Sequence, residues 1–181
     1  NELEAVIAKI DEAKKELSTV SKTFYFHKSI NNILGQISLE QSEFKKAISY
    51  FKEFENISET NHFDINKSFI NHNLGVCYVQ LRDFNKAEIY LLKSTKIQEF
   101  EKDTIALVGA YGDIATMYYE QFKDNLAIPY FEKAYEFSKK VKRYDLKHVA
   151  TKNMAVVEEN RKNFEKALIY RKEVEKWNDS L

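Results

Sequence analysis

Apolar residues recur at helical spacing along nearly the whole chain. In one well-marked stretch they fall at Ile70, Leu74, Cys77, Tyr78 and Leu81, the i, i+4, i+7, i+8, i+11 stripe that one face of an α-helix presents. A polar break at Arg82-Asp83 precedes a second stripe of Phe84, Ala87 and Leu91, continued more weakly by Ser94 and Ile97. Asp83 is suited to cap that second helix, because its carboxylate can accept from the unpartnered backbone N–H groups of the first turn. The same figure repeats, with breaks at Ser42-Glu43, Lys123-Asp124 and Lys162-Asn163. First helices are thus predicted near 23–41, 64–81, 104–120 and 145–160, and second helices near 44–60, 84–101, 124–141 and 164–177. Ahead of them Leu3, Val6, Ile7, Ile10, Ala13, Leu17 and Val20 mark one more amphipathic helix over 1–20, in the register of a second helix.

The pairs are copies of one another. Ala47, Ala87, Ala127 and Ala167 lie forty residues apart, in the contexts FKKAISYF, FNKAEIYL, DNLAIPYF and FEKALIYR. Thirteen residues before the first two stands Leu-Gly (Leu34-Gly35, Leu74-Gly75), and the later equivalents are Ile114-Ala115 and Met154-Ala155. A period of this length signals one supersecondary unit repeated in series. The expected fold is all-α: an α–α superhelix of about nine antiparallel helices forming a single domain over 1–181. Its units are an N-terminal helix and repeats at 23–60, 64–101, 104–141 and 145–177.

Composition sharpens this. The 181 residues include four Gly and one Pro, too few turn formers for a β-rich fold. All four glycines fall inside predicted first helices, where each costs about 1 kcal/mol relative to Ala. For Gly35 and Gly75 the expected compensation is close approach of the paired helix, with Ala47 or Ala87 facing them. Gly109 and Gly112 lie three apart on one face. A tight helix crossing and a ligand pocket explain them equally well. Pro129 falls early in its helix, where little hydrogen bonding is expected to be lost.

Charge and chemistry mostly exclude. Lys plus Arg and Asp plus Glu both number 28, so no net field favours nucleic acid or anionic lipid. The basic cluster Lys139, Lys140, Lys142 and Arg143 follows Glu132 and Glu136 and does not alter that. No apolar run approaches the ~18 residues of a membrane span. The single Cys77 reads as a small buried residue. His27, His62, His72 and His148 are far apart and lack the spacing of helical metal ligands. No phosphate-binding glycine loop is present, and the acid pairs Glu158-Glu159 and Asp11-Glu12 are expected on solvated faces. Neither cofactor nor metal nor catalytic site is therefore predicted.

The stretch NLGVCYVQLRDFNKAEIYLLKS resembles a tetratricopeptide repeat (TPR), in a forty-residue form, and the likeness extends over nearly the whole chain. Ser38 and Glu158 depart from the pattern where an aromatic is usual, so their units are expected to pack more loosely there. The closing stretch KNMAVVEENRKNFEKALIYRKEVEKWNDSL is similar to the end of the repeat region in Bacteroidetes-type TPR-containing sensor histidine kinases. That resemblance implies a sensor input domain facing the periplasm from an inner-membrane protein, without the kinase's catalytic parts; otherwise a cytoplasmic location is expected.

In stacked helix pairs the first helices line the concave side. Once the packing stripes are set aside, the candidate groove residues are Asn32, Gln36, Glu40, Phe69, His72, Val76, Gln80, Gly109, Gly112, Thr116, Tyr119, Lys152 and Asn160. Amides, apolar spots and small residues in this mixture suit a peptide or helix of a protein partner. Phe69, Val76 and the neighbouring Val79, Val149 and Val156 fit inter-repeat core as well. A carboxylate clamp is poorly supported, since only Lys152 supplies a cation. The outer residues Leu168, Ile169, Tyr170, Val174 and Trp177, like Ile7 and Ile10 at the start, need cover. Further chain beyond both ends, or a homodimer through the terminal helices, is expected to supply it, and the first residue, Asn1, suggests a processed piece. Three functions follow: a kinase sensor domain, a passive interaction scaffold, or the input region of a peptide-responsive transcription regulator or phosphatase.

Overall fold

The computed structural model of the chain describes residues 2–17, 24–60 and 67–178, with side chains over 5–12, 27–56 and 67–177. Within them the chain forms α1 (Glu2–Leu17), α2 (Phe24–Glu40), α3 (Phe44–Thr60), α4 (Lys67–Gln80), α5 (Phe84–Glu101), α6 (Thr104–Tyr119), α7 (Asp124–Ser138), α8 (Tyr144–Asn160) and α9 (Phe164–Asn178). No strand occurs among the described residues, and the all-α reading holds. The expectations for the side chains of Leu3, Ala13, Leu17, Val20 and His62 fall outside what is described. The chain divides into two compact units, Asn1–Tyr90 and Leu91–Leu181, the division lying within α5.

In the first unit α2 and α3 pair as a hairpin, with α4 packed on α3 and α1 on α2. The core joins Ala47, Phe51 and Phe54 of α3 to Ile70, Leu74 and Cys77 of α4. Burial pushes the Cys77 thiol up to about 11. In the second unit α6 pairs with α7 and α8 with α9, while α8 also packs on α7 and along one edge of α6. Its core clusters are Leu107, Tyr111 and Ala134, and Val108, Val141 and Ala150. The four periodic alanines are 0–3% exposed, so they face inward as their spacing predicts.

The tight turns share one geometry. Ser42, Arg82, Phe122 and Lys162 have φ of 58–61°, and each ends a helix with paired backbone bonds such as Arg82 N–H to Val79 O and Asp83 N–H to Tyr78 O, both 2.9 Å. This is the Schellman arrangement, whose left-handed residue is most often glycine. Asp83 caps α5 as predicted, accepting from Lys86 N–H at 3.3 Å. The third turn departs from expectation by one residue: Phe122-Lys123 makes it, and Asp124 is already helical.

Other expectations need correction. The helix α7 ends at Ser138, not 141, because Lys140 and Val141 close a tighter last turn that swings Val141 into the core. Helical bonding in α7 starts at Ala127 N–H to Lys123 O, two residues before Pro129. Pro129 therefore removes one bond, the small loss expected so early in the helix. The units bearing Ser38 and Glu158 are not left open at those positions, since both residues are buried. Tyr78 stacks on Tyr90 at 5.6 Å and Tyr118 on Tyr130 at 5.9 Å. At the equivalent place Glu158, 4% exposed, accepts from Arg161 at 3.0 Å. The Glu158-Glu159 pair is therefore not a solvated face; ion pairing makes burial of the first carboxylate tolerable.

Candidate functional site: a notch between α6 and α8

The expected compensation at Gly35 is real, but its partner is different. A methyl group built there would lie 2.7 Å from Cδ1 and 2.8 Å from Cζ of Phe51. The residue demanding glycine is thus an aromatic ring of α3, one turn beyond Ala47. At Gly109 and Gly112 an added methyl group meets nothing within 4 Å. A tight helix crossing at that pair is excluded within the described structure.

What the two glycines do border is a cavity of about 140 Å³. Val108 of α6, Ala134 of α7, and Leu146, Val149 and Ala150 of α8 supply apolar walls, and Asp113, Thr116 and Asn153 supply polar groups. Thr116 Oγ1 donates to Gly112 O at 2.9 Å. Its hydroxyl proton is thereby used, and the oxygen presents lone pairs. The polar side chains of the notch are thus one carboxylate, one hydroxyl whose proton is already used, and one amide that can both donate and accept.

Of the predicted groove residues, the structure brings Gly109, Gly112 and Thr116 together here. Tyr119 and Asn160 meet at the far end of α6 and α8, the Asn160 amide donating to the Tyr119 hydroxyl. Lys152 is exposed on α8 and does not line the notch. Val149, 55% exposed, is notch wall and not inter-repeat core; Phe69 is exposed too, whereas Val79 is buried. In the first unit Asn32, Gln36, His72 and Val76 are half-buried and Glu40, Phe69 and Gln80 exposed, on α2 and α4. There Gln36 Nε2 donates to Asn32 Oδ1 at 3.1 Å.

Asp113, Leu146 and Asn153 were not among the predicted site residues. A signal did exist: Asp113 and Asn153 are forty residues apart, so they occupy one register position in successive repeats. Two nearby acids are already engaged. Glu159 accepts both Arg171 Nε and Nη2, at 2.8 and 2.9 Å, and that hydrogen bonding holds its carboxyl below the usual range. Arg143 does the same for Asp145. Among the described residues no three His, Cys, Asp or Glu side chains assemble into a metal site, and no helix is long and apolar enough to cross a membrane.

Residues 66–140 match the tetratricopeptide repeat family. No curated protein sequence matches the chain at a significant level. Among solved structures, BtubC (BKLC) from P. vanneervenii is similar, with a TM-score of 0.76 and 19% identity, over 84% of this chain and 63% of that one. Aspartyl phosphate phosphatase F from Bacillus subtilis is also similar, with a TM-score of 0.67 and 17% identity, over 95% of this chain and 54% of that one. This chain thus spans somewhat over half the length of each, and the likeness establishes a helical-repeat fold.

Proposed function

We propose that this chain is a non-catalytic module that binds a protein or peptide, and that the notch between α6 and α8 is part of the binding surface. The unfilled space over Gly109 and Gly112 carries the reading. Two glycines in a helix interior weaken it by about 2 kcal/mol together relative to alanine, and no packing contact in the described structure requires them. Space for an incoming group is a physical reason for their presence. The tetratricopeptide repeat match over residues 66–140 supports a protein-interaction role. Binding of purified protein to an array of random decapeptides tests it. Binding that is lost on Gly109→Ala with Gly112→Ala, with no loss of stability, supports the notch as part of the binding surface, and undiminished binding by that variant opposes it.

The finer reading is a sensor input domain of a two-component histidine kinase, supported by the closing WNDSL stretch. A second reading, an input region of a regulator such as a phosphatase, is favoured by the similarity to aspartyl phosphate phosphatase F. Sequencing the gene beyond the codon for Leu181 separates them. A membrane span and kinase core there supports the first; any other continuation rejects it.

A further inference from the structure

Resting on the reading of the notch as a binding surface, we propose that its partner is a second copy of this chain, whose Phe122 ring enters the notch between α6 and α8. The notch suits an apolar occupant. Asp113 already interacts within the chain, and Thr116 has given its proton to Gly112 O, so neither group calls for a charged ligand. What stands open is carbon: Val108, Leu146 and Val149 wall the space, and the two glycines leave the helix surface bare. The volume of about 140 Å³ is close to that of a cavity of about 150 Å³ that accommodates benzene. One phenyl ring therefore fills it.

The same unit presents such a ring. Phe122 is 92% exposed and holds a left-handed φ of 59°, a conformation disfavoured for any residue with a Cβ. At its register the other repeats place Ser42, Arg82 and Lys162. Leu126, four residues on and also exposed, stands where the others have Lys46, Lys86 and Lys166. A turn edge that is polar in three repeats and apolar in one marks a contact surface. Phe122 follows Gly112 by ten residues, about 15 Å along a helix, and its exposure shows that the ring is not in the notch of its own chain. Charge is complementary as well. Exposed Glu120 and Asp124 flank the ring against the one cation Lys123, while exposed Lys152 follows the notch residue Val149 by one turn of α8. Because ring and notch are different surfaces, each chain can give one and accept the other.

Analytical ultracentrifugation of the whole 181-residue protein, from micromolar to millimolar concentration, tests this. The wild type should associate, and its Gly109 and Gly112 amide resonances should shift as concentration rises. Phe122→Ala keeps the notch and removes the ring, whereas Gly109→Ala with Gly112→Ala keeps the ring and narrows the notch. Each should weaken self-association at least about tenfold, as expected for losing one buried aromatic side chain, with helicity by circular dichroism unchanged. Mixed together, the two variants should form a one-to-one complex at least about tenfold tighter than either forms alone, because the mixture restores one ring-in-notch contact. Unchanged self-association of Phe122→Ala, or a mixture no tighter than its components, overturns the assignment of the ring. A wild type that stays monomeric throughout overturns the second copy as partner. Decapeptide binding that is still lost on the double glycine change then leaves the notch standing as a binding surface for another chain. If that double variant loses neither self-association nor peptide binding, the notch itself is overturned.

Discussion

Gly35 and the Gly109–Gly112 pair occupy the same kind of helix, the first of a hairpin, yet their surroundings are opposite. Phe51 presses on Gly35 so closely that a methyl group cannot enter without displacing the ring. Nothing stands within 4 Å of the place where a methyl group would sit on either residue of the pair. The helix-propensity penalty is the same in both places, about 1 kcal/mol for each glycine. In the first unit it is offset by burial of an aromatic ring. In the second unit no contact within the described structure offsets it. A glycine that packing explains is structural; a glycine that packing does not explain is where a function is to be sought.

The largest test of that contrast removes the ring. Phe51 is fully buried, and Phe51→Ala should lower unfolding free energy by about 3–5 kcal/mol, measured by urea denaturation. A small loss would mean that the ring does not fill the space over Gly35. Next comes Gly35→Ala. Overpacking of about 1–3 kcal/mol opposes a propensity gain of about 1 kcal/mol, so a net loss of up to about 2 kcal/mol is expected. In a Phe51→Leu background the same change should become stabilising. An unchanged sign in the two backgrounds would break the link between Gly35 and the ring.

The opposite outcome is expected in the second unit. Gly109→Ala together with Gly112→Ala gains helix propensity at both sites and meets no neighbour, so stability should rise by up to about 2 kcal/mol. For a chain of this size that is a rise of roughly 4–8 °C in melting temperature. A fall would show that the helix surface there is covered after all, and would return the pair to a packing role.

Much of this architecture is legible in the residues because two periods act together. Helical spacing gives the elements, and the forty-residue repeat fixes their pairing, so Ala47, Ala87, Ala127 and Ala167 could be assigned inward from sequence. Helix ends were legible within about three residues, and the miss at the end of α7 is set by a tertiary contact. The capture of Val141 by Val108 and Ala150 shortens α7, and no local residue announces it. The burial of Glu158 was illegible for the same reason: its environment depends on Arg161 folding back over it. The notch was half legible. Its glycines and Thr116 stand out on one helix, but Asp113 and Asn153 gain meaning only when α6 and α8 lie side by side.

The contrast has a converse. None of the described glycines has a positive φ, while five residues that do, Ser42, Arg82, Lys102, Phe122 and Lys162, are not glycine. Glycine here supplies space, and the left-handed turns are held by side chains that resist that conformation. Phe122 is the extreme case, with a φ of 59° and 92% exposure. A Cβ in the left-handed region costs about 1–2 kcal/mol, and a ring so exposed contributes almost no burial in return. Replacing Phe122 by Gly relieves the backbone, while the greater freedom of glycine in the unfolded chain offsets part of the gain. The expected net effect is a stabilisation of about 0.5–1 kcal/mol, the smallest considered, visible as a rise of roughly 1–4 °C in melting temperature. Phe122→Ala keeps the Cβ and should leave stability nearly unchanged, so the pair isolates conformation from loss of the ring. If both variants lose stability equally, the ring contributes to the fold and the turn is not the strained element.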